Sequence, residues 1–255
     1  MDEFDLAPSP EIPARPVKGR GAVGNVDHRF STEQRQAIDD GWEQSEAPLP
    51  QTRLLFDSAK SIISRNDSPD LGFDQSLNPY RGCEHGCIYC YARPTHAYLG
   101  LSPGLDFETQ IFAKPDAARL LREELGKPGY ICSPIALGSA TDAYQPFERQ
   151  QKLTRAILEI LLQTRHPVSV VTKSSLIRRD IDLWIELARQ KLGQVAISLT
   201  TLDGPLARQL EPRASAPHAR LETIAALSKA GIPVTVIAAP VIPGINDHEL
   251  EKLLG

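Results

Sequence analysis

Short apolar runs at residues 130–137, 168–172, 195–200 and 234–239 alternate with stretches of helical periodicity, and this alternation constrains the fold more than any other feature of the chain. Each run is apolar on both faces, as a strand buried inside a parallel sheet must be. Between the runs, Leu153, Ile157, Leu158 and Leu161 fall on one helical face, and Ile181, Trp184, Ile185, Ala188 and Leu192 on another. Leu221, Ile224 and Ala225 open a third face that stops at Gly231. Strand and helix in turn predict an α/β fold with a parallel sheet and right-handed crossovers. With one further strand just before Cys83, five βα units are expected in a single domain over residues 51–255.

Residues 1–50 read differently. They hold six prolines, four glycines and few large apolar side chains, so they bury too little surface to offset their ordering entropy. This stretch is expected to be a disordered acidic, proline-rich tail, with a short helix at 32–40. It carries 5 Lys/Arg and 10 Asp/Glu, which leaves 23 and 22 for the remainder. The body is therefore nearly neutral, and net charge supplies none of the basic footprint of a duplex-binding protein. No stretch approaches the roughly 18 apolar residues of a membrane span, and the N-terminus lacks the apolar core of a signal peptide. A cytoplasmic protein without membrane partners is expected.

Three of the four cysteines lie within "PYRGCEHGCIYCYARPTH", at the spacing C-x3-C-x2-C: Cys83, Cys87 and Cys90. In a reducing compartment such a cluster holds metal or does chemistry rather than forming a disulfide framework. Cys132 lies 42 residues on, inside an apolar run, where a buried unreactive thiol is expected. Two metal readings stand. A structural zinc site needs four ligands, and His85 or His96 would complete one, giving a non-catalytic nucleic-acid or protein interaction module. Three thiolates on a four-iron cluster would leave one iron without a protein ligand, which is a place for chemistry.

The three-cysteine loop, with Tyr89 just before its last cysteine and a strand just before its first, resembles the cluster loop of the radical S-adenosylmethionine superfamily. The resemblance implies a partial (β/α) barrel and a [4Fe-4S] cluster held by Cys83, Cys87 and Cys90. Its fourth iron would chelate S-adenosylmethionine, and a flavodoxin- or ferredoxin-type electron donor would reduce it. In barrel-like α/β folds the active site gathers at the C-terminal strand ends, and these ends carry polar residues here. After the second strand come Gly138, Ser139, Thr141 and Asp142, matching the segment that receives the methionine amino group; a turn capping the next helix is the plainer reading. Lys173 follows the third strand, either facing an anionic substrate or simply solvated.

Ser198 and Thr200 end the fourth strand, where the resemblance implies contact with ribose. Glu211 and Arg213 suit ribose hydroxyls and the methionine carboxylate, or else form an ordinary ion pair. Ile242 and Gly244, in "PVIPGIND", resemble the segment that packs against adenine, with Asn246-Asp247 in place of its usual glutamate. Together with "GSATDAYQPFE" and "TKSSLIRRD", these segments resemble the branch related to DNA-repair photolyases, the spore photoproduct lyase-like proteins. That branch implies radical chemistry on an unknown, nucleic-acid-related substrate. Superfamily cores usually close partway with six βα units; after the fifth strand comes only the turn 240–246 and a short helical stretch at 247–254 before Gly255. The sixth unit is therefore expected to be absent and the edge at 234–239 to need a cover, with residues 54–63 one candidate.

Overall fold

The computed structural model describes residues 16–31 and 50–254. Its strands are β1 (Arg53–Phe56), β2 (Ile63–Arg65), β3 (Gln75–Leu77), β4 (Tyr80–Arg81), β5 (Gln110–Ala113), β6 (Ile135–Leu137), β7 (Val168–Thr172), β8 (Gly193–Ser198) and β9 (Val234–Ile237). The helices are α1 (Leu105–Thr109), α2 (Ala117–Leu125), α3 (Glu148–Gln151), α4 (Leu153–Gln163), α5 (Ile181–Arg189), α6 (Gly204–Leu210), α7 (Pro217–Lys229) and α8 (Leu250–Leu254). No helix among the described residues is long and apolar enough to cross a membrane.

The main sheet has the order β2-β3-β6-β7-β8-β9. From β3 to β9 every neighbouring pair is parallel and consecutive in the series, so each crossover steps one strand in the same direction. This is the α/β architecture that the alternation predicts, with β3 as the strand before the cysteines. Leu77, Leu137, Val170 and Ile197 from the strands pack against Leu121, Ile157, Leu161 and Trp184 from α2, α4 and α5. A small second sheet, β1-β5-β4, was not expected from the sequence; its strands are two to four residues long.

Several expectations are corrected. The run 130–137 forms a strand only from Ile135, because Pro134 has no N–H to give the ladder, and the pairing opens with Ile135 N–H on the Pro167 carbonyl. Cys132 therefore sits in a loop and is exposed rather than buried. On α7 the inward face is Arg220, Thr223 and Leu227, while Leu221 and Ala225 are exposed. The ion pair of Arg220 with buried Glu211 explains that rotation. Residues 54–63 do not cover β9. They contribute to β1 in the small sheet and lead to β2, which pairs antiparallel with β3 at the opposite edge. Residues 16–31, assigned by composition to the tail, are hydrogen-bonded to α1 and to Ser102 just before it. The helix expected at 32–40 lies outside the described residues.

Candidate active site

The cysteine loop leaves the C-terminal end of β3 through β4 and turns sharply. Gly82 and Gly86 have φ of 76° and 67°, the left-handed region that glycine enters freely. Cys83 and Cys87 are buried, Cys90 is half-buried, and all are free thiols. Burial, the Asp142 charge and neighbouring Cys87 push the Cys83 thiol well up, against hydrogen bonds from the Asp142 and His85 backbone. Burial pushes Cys87 up to about 12, although the Lys173 ammonium pulls the other way. Such thiols are poor nucleophiles at neutral pH, but metal binding displaces their protons. Mutually interacting soft donors that accept backbone N–H bonds suit an iron–sulfur cluster.

Each histidine weighed as a zinc ligand uses one ring nitrogen in a contact away from the thiols. His96 is fully buried, bonds the Gln110 carbonyl through Nε2 at 3.0 Å, and packs edge-on against Phe107. His85 turns Nδ1 to Asp142 Oδ2 at 3.2 Å. Among the described residues, no three His, Cys, Asp or Glu side chains gather closely enough to hold a single metal ion. A mononuclear zinc site needs that gathering, whereas thiolates on different irons of one cluster stand further apart.

The strand ends close around the loop. Gly138, with φ of 80°, turns the chain after β6; an added Cβ would lie 3.2 Å from both Ala143 N and the Thr141 carbonyl. Asn78 stitches this turn to the end of β3, donating to Ser139 Oγ at 3.1 Å and accepting from Ala140 N at 2.9 Å. The Ser139 carbonyl accepts the Tyr91 hydroxyl, and Thr141 Oγ1 donates to the Tyr80 carbonyl at 3.0 Å. Asp142 is buried and occupied: it accepts from Thr172 Oγ1 at 2.7 Å, Lys173 N at 2.8 Å and Tyr144 N at 2.8 Å. Burial alone would raise its carboxyl, but His85 and these donors hold it down to about 2. Its oxygens serve the loop rather than pointing free for an ammonium group.

Ser198 and Thr200 are buried at the end of β8. Ser198 Oγ accepts from Lys173 Nζ at 3.0 Å, and Lys173 lies over the Tyr89 ring, 5.7 Å from its centroid. Lys173 thus faces the cluster loop, not bulk solvent. Thr200 Oγ1 and the Tyr89 hydroxyl both donate to Glu211 Oε1, the former at 2.7 Å. The opposite oxygen of Glu211 takes Arg220. Burial would raise the Glu211 carboxyl, but Arg220, Lys173 and the Tyr89 hydrogen bond lower it. Burial pushes the Tyr89 phenol strongly up, and the Glu211 charge adds to this.

Glu211 and Arg213 are not partners. Arg213 Nη2 reaches Glu84 Oε1 at 3.1 Å, inside the cysteine loop, while its backbone N–H bonds the His85 carbonyl at 3.2 Å. Ile242 and Gly244 sit in a turn that Asn246 fastens to β8, through Thr200 O at 2.8 Å and Ile242 N at 2.6 Å. Asn246, which stands where the glutamate was expected, is the residue that ties the Ile242 turn to the site.

The sequence reading missed Glu84, Gln145 and Arg220. Gln145 fixes the loop from below, accepting from Glu84 N at 3.0 Å and donating to the Gly82 carbonyl at 3.2 Å. Glu84 lies inside the cysteine motif and Gln145 inside "GSATDAYQPFE", whereas no local signal marks Arg220 in the first turn of α7. Beside the loop opens a cleft of about 1130 Å³, walled by residues 16–23, Ile88, α6 and the start of α7. Of the expected site residues only Glu211 lines it; Lys18, Arg20 and Arg208 make it basic.

Comparisons with known proteins identify the fold and the family. The chain is 43% identical over 187 residues to an uncharacterised protein of Mycobacterium tuberculosis, covering 72% of this chain and 55% of that one. It is 29% identical over 191 residues to an uncharacterised protein of Methanocaldococcus jannaschii, covering 75% and 68%. The chain thus spans about half the length of the mycobacterial relative. Among solved structures, spore photoproduct lyase complexed with dinucleoside spore photoproduct shares the fold at a TM-score of 0.57 and 17% identity, covering 79% of this chain and 57% of that one. A mutant form of that lyase with bound AdoMet and the same dinucleoside superposes at 0.53 and 17% identity, covering 74% and 51%. The profile of the Radical SAM superfamily matches residues 77–255, the whole span from β3 through the cysteine loop to the last helix, and the chain belongs to that superfamily.

Proposed function

We propose that Cys83, Cys87 and Cys90 hold a [4Fe-4S] cluster and that the chain is a radical S-adenosylmethionine enzyme. Its substrate is proposed to be nucleic-acid related, a class suggested by the dinucleoside bound in the structurally similar lyase. When bound, the cluster supplies one electron to a carbon–sulfur bond of S-adenosylmethionine, giving methionine and a 5′-deoxyadenosyl radical that abstracts hydrogen from substrate. A flavodoxin- or ferredoxin-type protein would supply that electron. The consecutive parallel strands are read as a partial barrel with the cysteine loop over its C-terminal mouth.

One observation carries this reading: the cysteine loop is tied to the polar ends of β6, β7 and β8 by side chains of both sexes of charge. His85 meets Asp142, Tyr89 meets Thr200 and Glu211, and Lys173 lies over Tyr89. Lys173 and Arg213 are placed to neutralise a carboxylate, and Ser198 and Thr200 to meet hydroxyls. Gly138 and Ser139 bring main chain close to where an ammonium would sit, and the Ile242–Gly244 turn offers an apolar wall for an adenine.

The test is anaerobic reconstitution with iron and sulfide, reduction with dithionite, and addition of S-adenosylmethionine. A brown protein whose electron paramagnetic resonance changes on that addition, and which releases 5′-deoxyadenosine, is expected. A colourless protein, or a cluster spectrum indifferent to S-adenosylmethionine, overturns the reading.

A further inference from the structure

We propose that residues 16–26, outside the region matched by the family, are a clamp that positions the cysteine loop, acting through Glu108 and Arg93 on the main chain of Cys87. The inference rests on the proposed function only for what the loop holds. The clamp itself is a matter of geometry.

Glu108 is fully buried, and a buried carboxylate is costly unless its oxygens are met. They are met from two directions. Gly21 N donates to Oε2 at 3.0 Å and Ala22 N to Oε1 at 2.8 Å, while Arg93 Nη2 meets Oε1 at 2.6 Å. The same guanidinium turns its other edge to the loop: Nε and Nη2 donate to the Cys87 carbonyl at 3.0 and 2.9 Å. A continuous path of charge-assisted hydrogen bonds therefore runs from the N-terminal segment to the second cysteine.

Packing supports the path. A Cβ added to Gly21 would lie 1.8 Å from the Gly86 carbonyl oxygen, and one on Gly86 would lie 2.6 Å from Glu108 Oε2. The segment and the turn between Cys83 and Cys87 touch backbone to backbone, which only glycine permits. Arg20 secures the near side, bonding the Glu108 carbonyl at 3.1 Å and Thr52 Oγ1 at 2.8 Å. Asn25 secures the far side, donating from Nδ2 to Asp106 Oδ1 and accepting from the Asp106 backbone N–H, each at 2.9 Å. Lifting the segment strips two donors from Glu108 and frees Arg93 to leave Cys87.

The experiment uses the full chain without iron and follows iodoacetamide labelling of each cysteine by mass spectrometry at one pH. Exposed Cys132, remote from the clamp, is the internal reference. Cys132 should label first in the unaltered chain. In Gly21→Ala the rates at Cys83 and Cys87 should rise at least about tenfold relative to Cys132, as local opening predicts. In Arg93→Lys, which keeps the charge but loses the fork on the Cys87 carbonyl, the rise should be larger at Cys87 than at Cys83. Relative rates unchanged within about twofold in Arg93→Lys overturn the clamp, even where Gly21→Ala does not fold. Because no iron is present, this outcome is independent of whether a cluster forms. In reconstituted protein the same variants should bleach faster in air, a second readout that does not need turnover.

Discussion

Nδ1 of His85 lies 3.2 Å from Oδ2 of Asp142, and this contact joins the middle of the cysteine loop to the end of β6. With its other bonds to Thr172 and Lys173, Asp142 holds the ends of β6 and β7 to one loop.

Acid should undo that junction. The Asp142 carboxyl is lowered from 3.8 to about 2, so its contribution is fully present above the unfolded value and is lost as pH falls from near 4 towards 2. The shift corresponds to roughly 2 kcal/mol. Urea unfolding of the iron-free protein between pH 6 and 2 should show the loss, and Asp142→Asn should flatten that part of the profile. An unchanged profile in the variant would assign the acid sensitivity elsewhere.

Buried Glu211 and Arg220 should be interdependent. Both are almost wholly removed from solvent, and Arg220 also bonds the Ser198 carbonyl at 3.0 Å. Arg220→Ala leaves the carboxylate uncompensated and should cost about 3 to 5 kcal/mol. Arg213→Ala, whose partner Glu84 it meets from a partly exposed position, should cost at most about 1 kcal/mol. Equal costs for the two would contradict the separate pairings.

The cysteines should divide three to one. Cys83→Ala, Cys87→Ala and Cys90→Ala should each fail to retain iron after anaerobic reconstitution. Exposed Cys132→Ala should keep full iron and change stability by less than about 0.5 kcal/mol. Metal analysis decides; full loading in any of the first three would remove that residue from the ligand set.

Gly138→Ala should damage the turn that shapes the β6 end. Its φ of 80° and the backbone atoms 3.2 Å from an added Cβ leave no room to relax. A loss of about 1 to 3 kcal/mol is expected, together with a weaker spectral response to S-adenosylmethionine than in the unaltered protein.

The strand 168–172 and the cysteine spacing were legible because each is a local pattern, whereas the run 234–239 pairs only over 234–237 and, as the edge strand β9, is not buried on both faces. Gly138, Ser198 and Thr200 could be placed for the same reason, since a strand's end is a local property. Pairings were not legible. Glu211 and Arg213 look like partners in the chain, but folding sends one to Arg220 and the other to Glu84. Asp142 reads as a free acceptor until the structure shows His85, Thr172 and Lys173 already on it. Residues 16–26 lack the apolar content of a folded segment, and composition measures only what side chains can bury. Their place is decided by backbone N–H groups meeting Glu108, 86 and 87 residues away, and by two glycines that let main chains touch. Contacts of that range and kind exist only once the chain has folded.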